Sequence, residues 1–573
     1  MTTFADDVDL DPRTPVIIGV GQASERIGDA GYAALSPVAL AAAAAHAALR
    51  DALAGVPAGA GAGGGVGGDV SGSGLERPPR DGTVDESVIA EGIDAVAFVR
   101  LFEDSGLEPP SPLGRADNAP RAVARRLGAD PARAVLGVGG GQSPQNLVLE
   151  FAAEIAAGRA ESALVVGAEA LSSSRHWARS AADGGPEPRR SPTDAGNAGA
   201  PEAARPDWRE RVGGDVEDRG PGLTDMTSSR QAALGLDHAP AAYALFENAR
   251  RARLGLSRED YARSMGELFA PFTHVAAGNP HSAAPTRRTP DELVTVTSRN
   301  RLVADPYPRF LVARDQVNQG AAVLLMSLGR ARDLGLDPAR FVHCHGHASV
   351  TERPLMERAD LSTSPAVGLA VRTVLHEAGI AAADLDLLDV YSCFPIAVSV
   401  VREALGMAPD DPRGFTVTGG LPFFGGPGND YALHSLAEMV GRLRDRPGAR
   451  GLVTANGGIL SSQSMGVWST DPAPWRPGRD EALAAEVASW PAPPTIDTPR
   501  GPARIETFTV VHGRDGSRRG LVVGRLDEGD TRFLAAASDD TATWRLLDAD
   551  QPVGAPVVVG DDGLVRAPSA PGR

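Results

Sequence analysis

The sequence predicts an α/β protein built from two similar doubly wound halves followed by a small β domain. Three observations carry that reading. Short apolar runs alternate with helical segments in a βαβ rhythm, the rhythm begins a second time near residue 341, and beyond a proline-rich stretch only short β runs between Gly and Asp turns remain. A length of 573 residues accommodates two to four domains, and 42% hydrophobic with 23% charged residues is ordinary for a soluble globular chain.

In the first half, residues 15–21 (PVIIGVG) read as a buried strand running into a loop. Ser36 and Pro37 read as an N-cap and the first helical residue of an alanine-rich helix reaching about residue 53. Residues 55–74 are glycine-rich and cannot hold a packed element, so they read as a flexible surface insertion. Strands are expected near 94–102, 134–139, 163–167 and 321–328, with a helix over 145–157, which together imply a largely parallel sheet. Residues 172–235 are poor in apolar side chains and read as an irregular excursion, after which the chain turns helical again. The second half is expected to hold strands at 341–346, 385–391 and 451–455, and helices near 365–379, 395–405 and 430–444. Residues 475–504 read as a linker, and short β runs at 505–511, 520–526, 533–536 and 557–559 form the last domain.

Composition narrows the function. The balance of 56 basic against 73 acidic side chains gives a formal charge of −17, which argues against nucleic-acid binding because phosphate neutralisation needs a basic face. All 56 basic residues are arginine, excluding lysine Schiff bases, pyridoxal phosphate attachment and a P-loop lysine. Two cysteines exclude a disulfide framework or a cysteine-rich zinc module. The start MTTFADDVDLDPRTP lacks the basic head and apolar run of a signal peptide, and the longest apolar stretch, 38–49, is too short to span a bilayer. A cytoplasmic protein without a membrane span is expected.

Four segments could carry chemistry. Gly139-Gly140-Gly141-Gln142-Ser143-Pro144-Gln145 sits at a strand-to-helix junction, where glycines admit a ligand to the backbone and the helix offers free N–H groups. Ser143 is either a nucleophile there or an N-cap serine ahead of Pro144. In Tyr391-Ser392-Cys393-Phe394-Pro395, Cys393 stands at a helix N-terminus, a place that stabilises a thiolate; the alternative is a buried cysteine acting as a small hydrophobe. The run from Gly419 to Asn429 includes Gly420, Gly425 and Gly426 and suggests a backbone wall beside a flat or elongated ligand. Asn429 then reads as the cap of the next helix, with His434 as a base oriented by Asp430 or as an ordinary helix histidine. His343, His345 and His347 share one face of a strand, and adjacent strand positions make a poor tetrahedron, so no metal site is expected.

Taken together, these segments resemble the thiolase superfamily, and within it the sterol-carrier-protein-type thiolases and related acetyl-CoA acetyltransferase-like proteins. The similarity covers roughly residues 14–475. It is carried by PVIIGVG, IAAGRAESALVVGAEAL, NRLVADPYPRFLVARDQVNQGAAVLLMSLGRARDLG, DLDLLDVYSCFPIAVSVVREALG and GGLPFFGGPGN. The resemblance implies a five-layer αβαβα fold with duplicated halves at 1–340 and 341–475, a lid-like loop excursion over about 172–300, and a dimer. It also implies acyl transfer between acyl-CoA thioesters through an acyl-cysteine, with coenzyme A thioester as the ligand and no further cofactor. The chain departs from the family at each catalytic motif. The nucleophile's slot falls at Gly141 or Gln142, the Asn or His of the N-E-A-F or H-D-C-F motif matches Tyr391, the G-H-P histidine is Gly426, and the C-x-G cysteine is Ala455, or Asn456 one register on. Residues 476–504 would be a linker, and 505–573 resemble the OB-like β domains that accompany some thiolase-like proteins and shape a CoA or acyl tunnel.

Two functions follow from the resemblance. One is an acyl-CoA enzyme with altered chemistry, in which Cys393 or Ser143 is the nucleophile, Tyr391 and Asn456 hydrogen-bond the thioester oxygen, His434 is the base, and Gly140, Gly141, Gln142, Gly419, Gly420, Gly425, Gly426 and Gly457 bind the ligand. The other is a non-catalytic acyl-CoA-binding or scaffolding partner of another acyl-CoA enzyme. A third, plainer reading makes the glycine loops mere tight turns in a structural subunit.

Overall fold

The computed structural model describes residues 10–55, 84–182, 205–222 and 227–568. The expected glycine-rich insertion lies outside these residues apart from Gly55. Strand β1 (Pro15–Ser24) is followed by α1 (Pro37–Leu53), where Ser36 accepts from the Ala39 N–H and Pro37 takes the first turn, as its sequence predicts. The alanines of α1 let it lie directly on the strand: a Cβ added at Gly21 would sit 2.1 Å from the Ala44 carbonyl oxygen. Then come α2 (Glu86–Glu91), β2 (Ala95–Phe98), α3 (Ala119–Leu127), β3 (Arg133–Leu136), α4 (Ser143–Ala156) and β4 (Ser162–Ala170).

The reading of residue 172 onward as irregular is corrected by α5 (Leu171–Ala182), a helix whose Trp177 packs on the first half's outer core. Beyond it lie β5 (Glu217–Asp218), α6 (Ser229–Ala233), α7 (Ala239–Leu254), α8 (Arg258–Gly278), α9 (Pro290–Val294), β6 (Leu302–Ala304) and β7 (Tyr307–Pro308). The chain re-enters the sheet as β8 (Asn318–Ser327) and leaves through α10 (Leu328–Asp333). The sheet order is β1-β8-β4-β2-β3-β5. Only its β4-β2-β3-β5 part is parallel, because β8 returns from the excursion at the opposite end and runs antiparallel to both β1 and β4. The expectation of a largely parallel sheet therefore gives way to a mixed one. At its far edge β5 covers β3, reinforced by an Arg133–Glu217 ion pair at 2.8 Å.

The second half repeats the plan with β9 (His343–Thr351), α11 (Pro365–Ala378), β10 (Leu387–Asp389), α12 (Pro395–Ala404), α13 (Tyr431–Asp445), β11 (Gly451–Gly457) and β12 (Ser462–Ser469). Its order, β10-β11-β12-β9, matches β2-β4-β8-β1 strand for strand. Helices α4 and α13 lie between the two sheets and share one apolar core with both. Helices α1 and α3 cover the outer face of the first sheet, and α11 and α12 that of the second. Five layers result, helix–sheet–helix–sheet–helix.

The stretch read as a linker contains α14 (Asp480–Ser489), whose Leu483 and Val487 are buried in the second half's core. The last domain holds β13 (Gly501–His512), β14 (Arg518–Leu526), β15 (Arg532–Ala536), α15 (Thr541–Asp548), β16 (Pro556–Val559) and β17 (Val565–Arg566), in the order β15-β14-β13-β16-β17 around its own core. It is joined tightly to the rest. Ala304 of β6 pairs with Val511 of β13, and Asn248 of α7 donates to the Phe508 carbonyl at 3.0 Å. Fully buried Arg532 donates to the carbonyls of Met356 (3.0 Å) and Arg358 and pairs with Glu506, which also holds Arg525. Among the described residues no helix is long and apolar enough to cross a membrane.

Arg532→Ala would strand two buried carbonyls and a half-shielded carboxylate, so it is expected to cost about 3–5 kcal/mol in denaturant unfolding. A loss under about 1 kcal/mol would show that the guanidinium does not hold the domain in place.

Candidate functional site

Among the described residues a cavity of about 750 Å³ opens where the two halves meet. Its floor is built from three chain turns: Gly140 and Gly141 ahead of α4, Tyr391 to Phe394 between β10 and α12, and Asn456 to Gly458 at the end of β11. Strand alternation decides which side chain of β11 faces it: Asn456 lines the cavity, while Ala455 is buried in the second half's core. Asn456 is held on every side. Its Oδ1 accepts from Gln463 Nε2 at 3.0 Å, and its Nδ2 donates to Tyr243 Oη at 2.8 Å and reaches Cys393 Sγ at 3.7 Å. Tyr243 Oη in turn donates to the Gly458 carbonyl at 3.0 Å and accepts from the Leu460 N–H at 3.1 Å.

Cys393 lines the cavity, as its place ahead of α12 suggests, and of its two readings the buried cysteine is the one its surroundings favour. Phe394 takes the N-cap position, and burial pushes the Cys393 thiol up to about 12. The thiol is neutral at physiological pH, so the helix-terminus effect loses to desolvation. Tyr391, likewise buried and displaced upward by desolvation, fills the gap beside the α4 turn. A Cβ added at Gly141 would lie 2.2 Å from Tyr391 Oη and 2.5 Å from the Asn456 carbonyl oxygen. Gln142 folds back over Gly140 and Gly457 with its Oε1 buried and unpartnered.

Of the residues singled out in the sequence, Gly140, Gly141, Tyr391, Cys393, Phe394, Gly426, Asn429, Asn456 and Gly457 line this cavity, whereas Gln142, Ser143, Gly419, Gly420, Gly425 and His434 do not. Ser143 is the first residue of α4 rather than its cap, and its hydroxyl is buried without a partner. His434 faces β1: its Nδ1 bonds Gln22 Oε1 at 2.7 Å, while Nε2 stands 3.8 Å from Asp430 Oδ2. Burial holds this imidazole well below its ordinary pKa and raises Asp430 well above its own, so the pair is neutral and turned away from the ligand space. Gly419 admits α8 at Ala276, Gly420 packs on Phe272 and Ser392, and Gly425 on Gln319 and Val317, so these three serve packing. Asn429 caps no helix. It stitches the halves by accepting from the Gly140 N–H (2.8 Å) and donating to the Arg100 carbonyl (2.7 Å). On β9, His345 bonds the Asp471 carbonyl and His347 stacks on Trp475.

Two features escaped the sequence reading. Tyr243 reaches the floor from α7, and Arg299, Arg301, Arg309 and Arg514 stand around the mouth. Neither the helical pattern around Tyr243 nor the many scattered arginines marked them, because the segments meet only in the fold.

With this geometry in view, similarity to known proteins is informative. The family model described as thiolase-like protein type 1 additional C-terminal domain matches residues 482–564, a span that takes in most of α14 and the last domain. The crystal structure of a monomeric SCP2-thiolase-like protein type 1 from Mycobacterium smegmatis is 41% identical, with 96% of this chain and 97% of that chain covered at a TM-score of 0.74. The chain belongs to the SCP2-thiolase-like proteins of type 1. The thiolase-like fold and the additional C-terminal domain expected from its motifs are thus shown. An acetyl-CoA acetyltransferase of Methanothermobacter thermautotrophicus is 26% identical over 252 residues, 41% of this chain and 63% of that protein, so the chain spans less than two thirds of such curated relatives. An Ltp2-ChsH2(DUF35) aldolase shares the fold at 18% identity and a TM-score of 0.50, over 80% of this chain and 99% of that one.

Any side chain at residue 141 would therefore meet the Tyr391 phenol. Gly141→Cys is expected to destabilise by about 1–3 kcal/mol through overpacking. Combining it with Tyr391→Ala should reduce its incremental cost without abolishing it, since the Asn456 carbonyl stays close. A double-mutant cycle in thermal unfolding measures this, and strict additivity would refute the contact. A second expectation concerns Cys393. In a Cys344→Ser background, iodoacetamide alkylation should be negligible at pH 7 and still accelerating at pH 10, because thiolate forms only as pH climbs toward 12. A rate that levels off below pH 9 would contradict the buried, neutral thiol.

Proposed function

We propose that the chain binds a coenzyme A thioester in the thiolase-type cavity and does not process it by the ordinary acyl-cysteine route. The observation that carries this reading is the Tyr391 hydroxyl at Gly141: the position of the family's nucleophile is occupied, while the surrounding space of about 750 Å³ stays open. That volume suits an elongated ligand. Acetyl-CoA acetyltransferase and thiolase relatives supply the ligand class, and no cofactor beyond the thioester is required. Stabilising a tetrahedral intermediate needs donors aimed at the developing oxyanion. Both hydrogens of the Asn456 amide are already directed at Tyr243 and Cys393. Neutral His434 lies outside the cavity and supplies no base there.

A second reading, acyl transfer onto Cys393, is favoured by the thiol's place in the cavity within 3.7 Å of Asn456. In either case a single copy suffices for the reading, which the monomeric state of the similar Mycobacterium smegmatis protein supports. Titration calorimetry with acetyl-CoA, followed by intact-protein mass spectrometry of the same samples, tests the proposal. Saturable binding with no added mass is expected. An acetyl group mapped to Cys393 and removed by free CoA would establish the second reading, and absence of binding would overturn both.

A further inference from the structure

We infer that the C-terminal domain completes this cavity, Arg514 joining Arg299 and Arg309 in an anion-binding rim that takes the phosphorylated end of the ligand. The inference rests on the proposed CoA-thioester reading and deepens it. Arg514 sits on the turn between β13 and β14, outside the duplicated core, yet it lines the same cavity as Tyr391 and Cys393. Its position is built. Arg301 donates to the His512 carbonyl at 3.0 Å, Val511 pairs with Ala304, and Asp515 Oδ1 accepts from the Ser517 N–H at 3.0 Å to close the turn. The hairpin tip is thus tied to the segment carrying Arg299 and Arg309.

The charges around the mouth are uneven. Among the described residues Arg299, Arg309 and Arg514 are exposed and have no carboxylate partner. Of the two carboxylates lining the cavity, Asp315 is paired with Arg175 at 2.7 Å, leaving exposed Asp237 beside His238. Three free guanidinium groups against one free carboxylate make a cationic ring on a protein of formal charge −17. Guanidinium forks match phosphate oxygens, and the uncharged floor suits the thioester end.

The test is titration calorimetry of the full chain with coenzyme A, in the wild type and in Arg514→Ala, Arg514→Gln and Arg504→Ala. The last removes an exposed arginine that pairs with Asp527 and Asp530 away from the cavity. Both Arg514 variants should bind about tenfold more weakly with a weaker salt dependence, and melt as the wild type does, while Arg504→Ala binds normally. Wild-type affinity in the Arg514 variants, or an equal loss in Arg504→Ala, would overturn the inference while leaving the functional reading intact. A wild-type chain that binds no coenzyme A would instead remove the functional reading, and this inference with it.

Discussion

Where the halves meet, a glycine of one and a phenol of the other divide a space with room for a single side chain. The turn before α4 can approach the end of β11 only because residue 141 has no Cβ, and Tyr391 then reaches across to fill what remains. The same interlock recurs one step along, where Gln142 lies over Gly457. Two glycines, from opposite halves, thereby set the floor of the cavity. Close packing leaves no slack to absorb a side chain at either place, so a side chain introduced at residue 141 alone meets the Tyr391 phenol.

Helix α7 transmits this floor to the rest of the molecule. Tyr243 faces the cavity and bonds Asn456, and one turn on Glu247 enters the core, where Tyr307 donates to it at 2.7 Å and Tyr261 also donates. Burial raises this carboxyl, while the two phenols and Arg250 oppose the shift, and Arg250 connects it to Glu403 at the surface. The next residue, Asn248, bonds the Phe508 and Asp305 carbonyls. The Phe394 ring stacks on Tyr243 and packs beside Tyr307, at centroid distances of 4.5 and 5.1 Å, which fixes the turn that carries Cys393. A single helix therefore couples the cavity, a buried acid and the C-terminal domain. This is why that domain behaves as part of the site and not as an appendage on a linker.

The duplicated α/β architecture was legible because hydrophobic runs, N-caps and prolines act locally: Ser36-Pro37 and the β4 run appear in the structure where the pattern puts them. Strand β12 was missed because its pattern SQSMGVWS mixes polar and apolar residues, although it is buried on both faces. Helix α14 was hidden by the prolines that flank it. At the site, glycines at 140, 141, 426 and 457 line the cavity, whereas those at 419, 420 and 425 pack on other segments in a way that sequence spacing does not reveal. For Cys393 local sequence shows the helix terminus but not the three chain turns that bury the thiol, so it leaves a thiolate and a buried cysteine both open and the fold favours the second. His434 and Asp430 sit one turn apart as expected, but the rotation of α13, which aims them at β1, is set by tertiary packing.

The electrostatic layout of the cavity argues for holding a ligand over transforming it. Its mouth is cationic and its floor is neutral, with a protonated thiol, a protonated phenol and an amide whose donors are engaged. Such a gradient suits an amphiphile with an anionic head and an uncharged tail, which gains phosphate contacts at the rim and apolar contacts below. Group transfer asks for something else, namely a group that gains interaction as charge develops on the reacting atoms. At the floor the Asn456 amide hydrogens are already directed at Tyr243 and Cys393. The arrangement also places its fixed positive charge on a rim that two domains share, so the head of the proposed ligand would touch both with its thioester on the seam of the core.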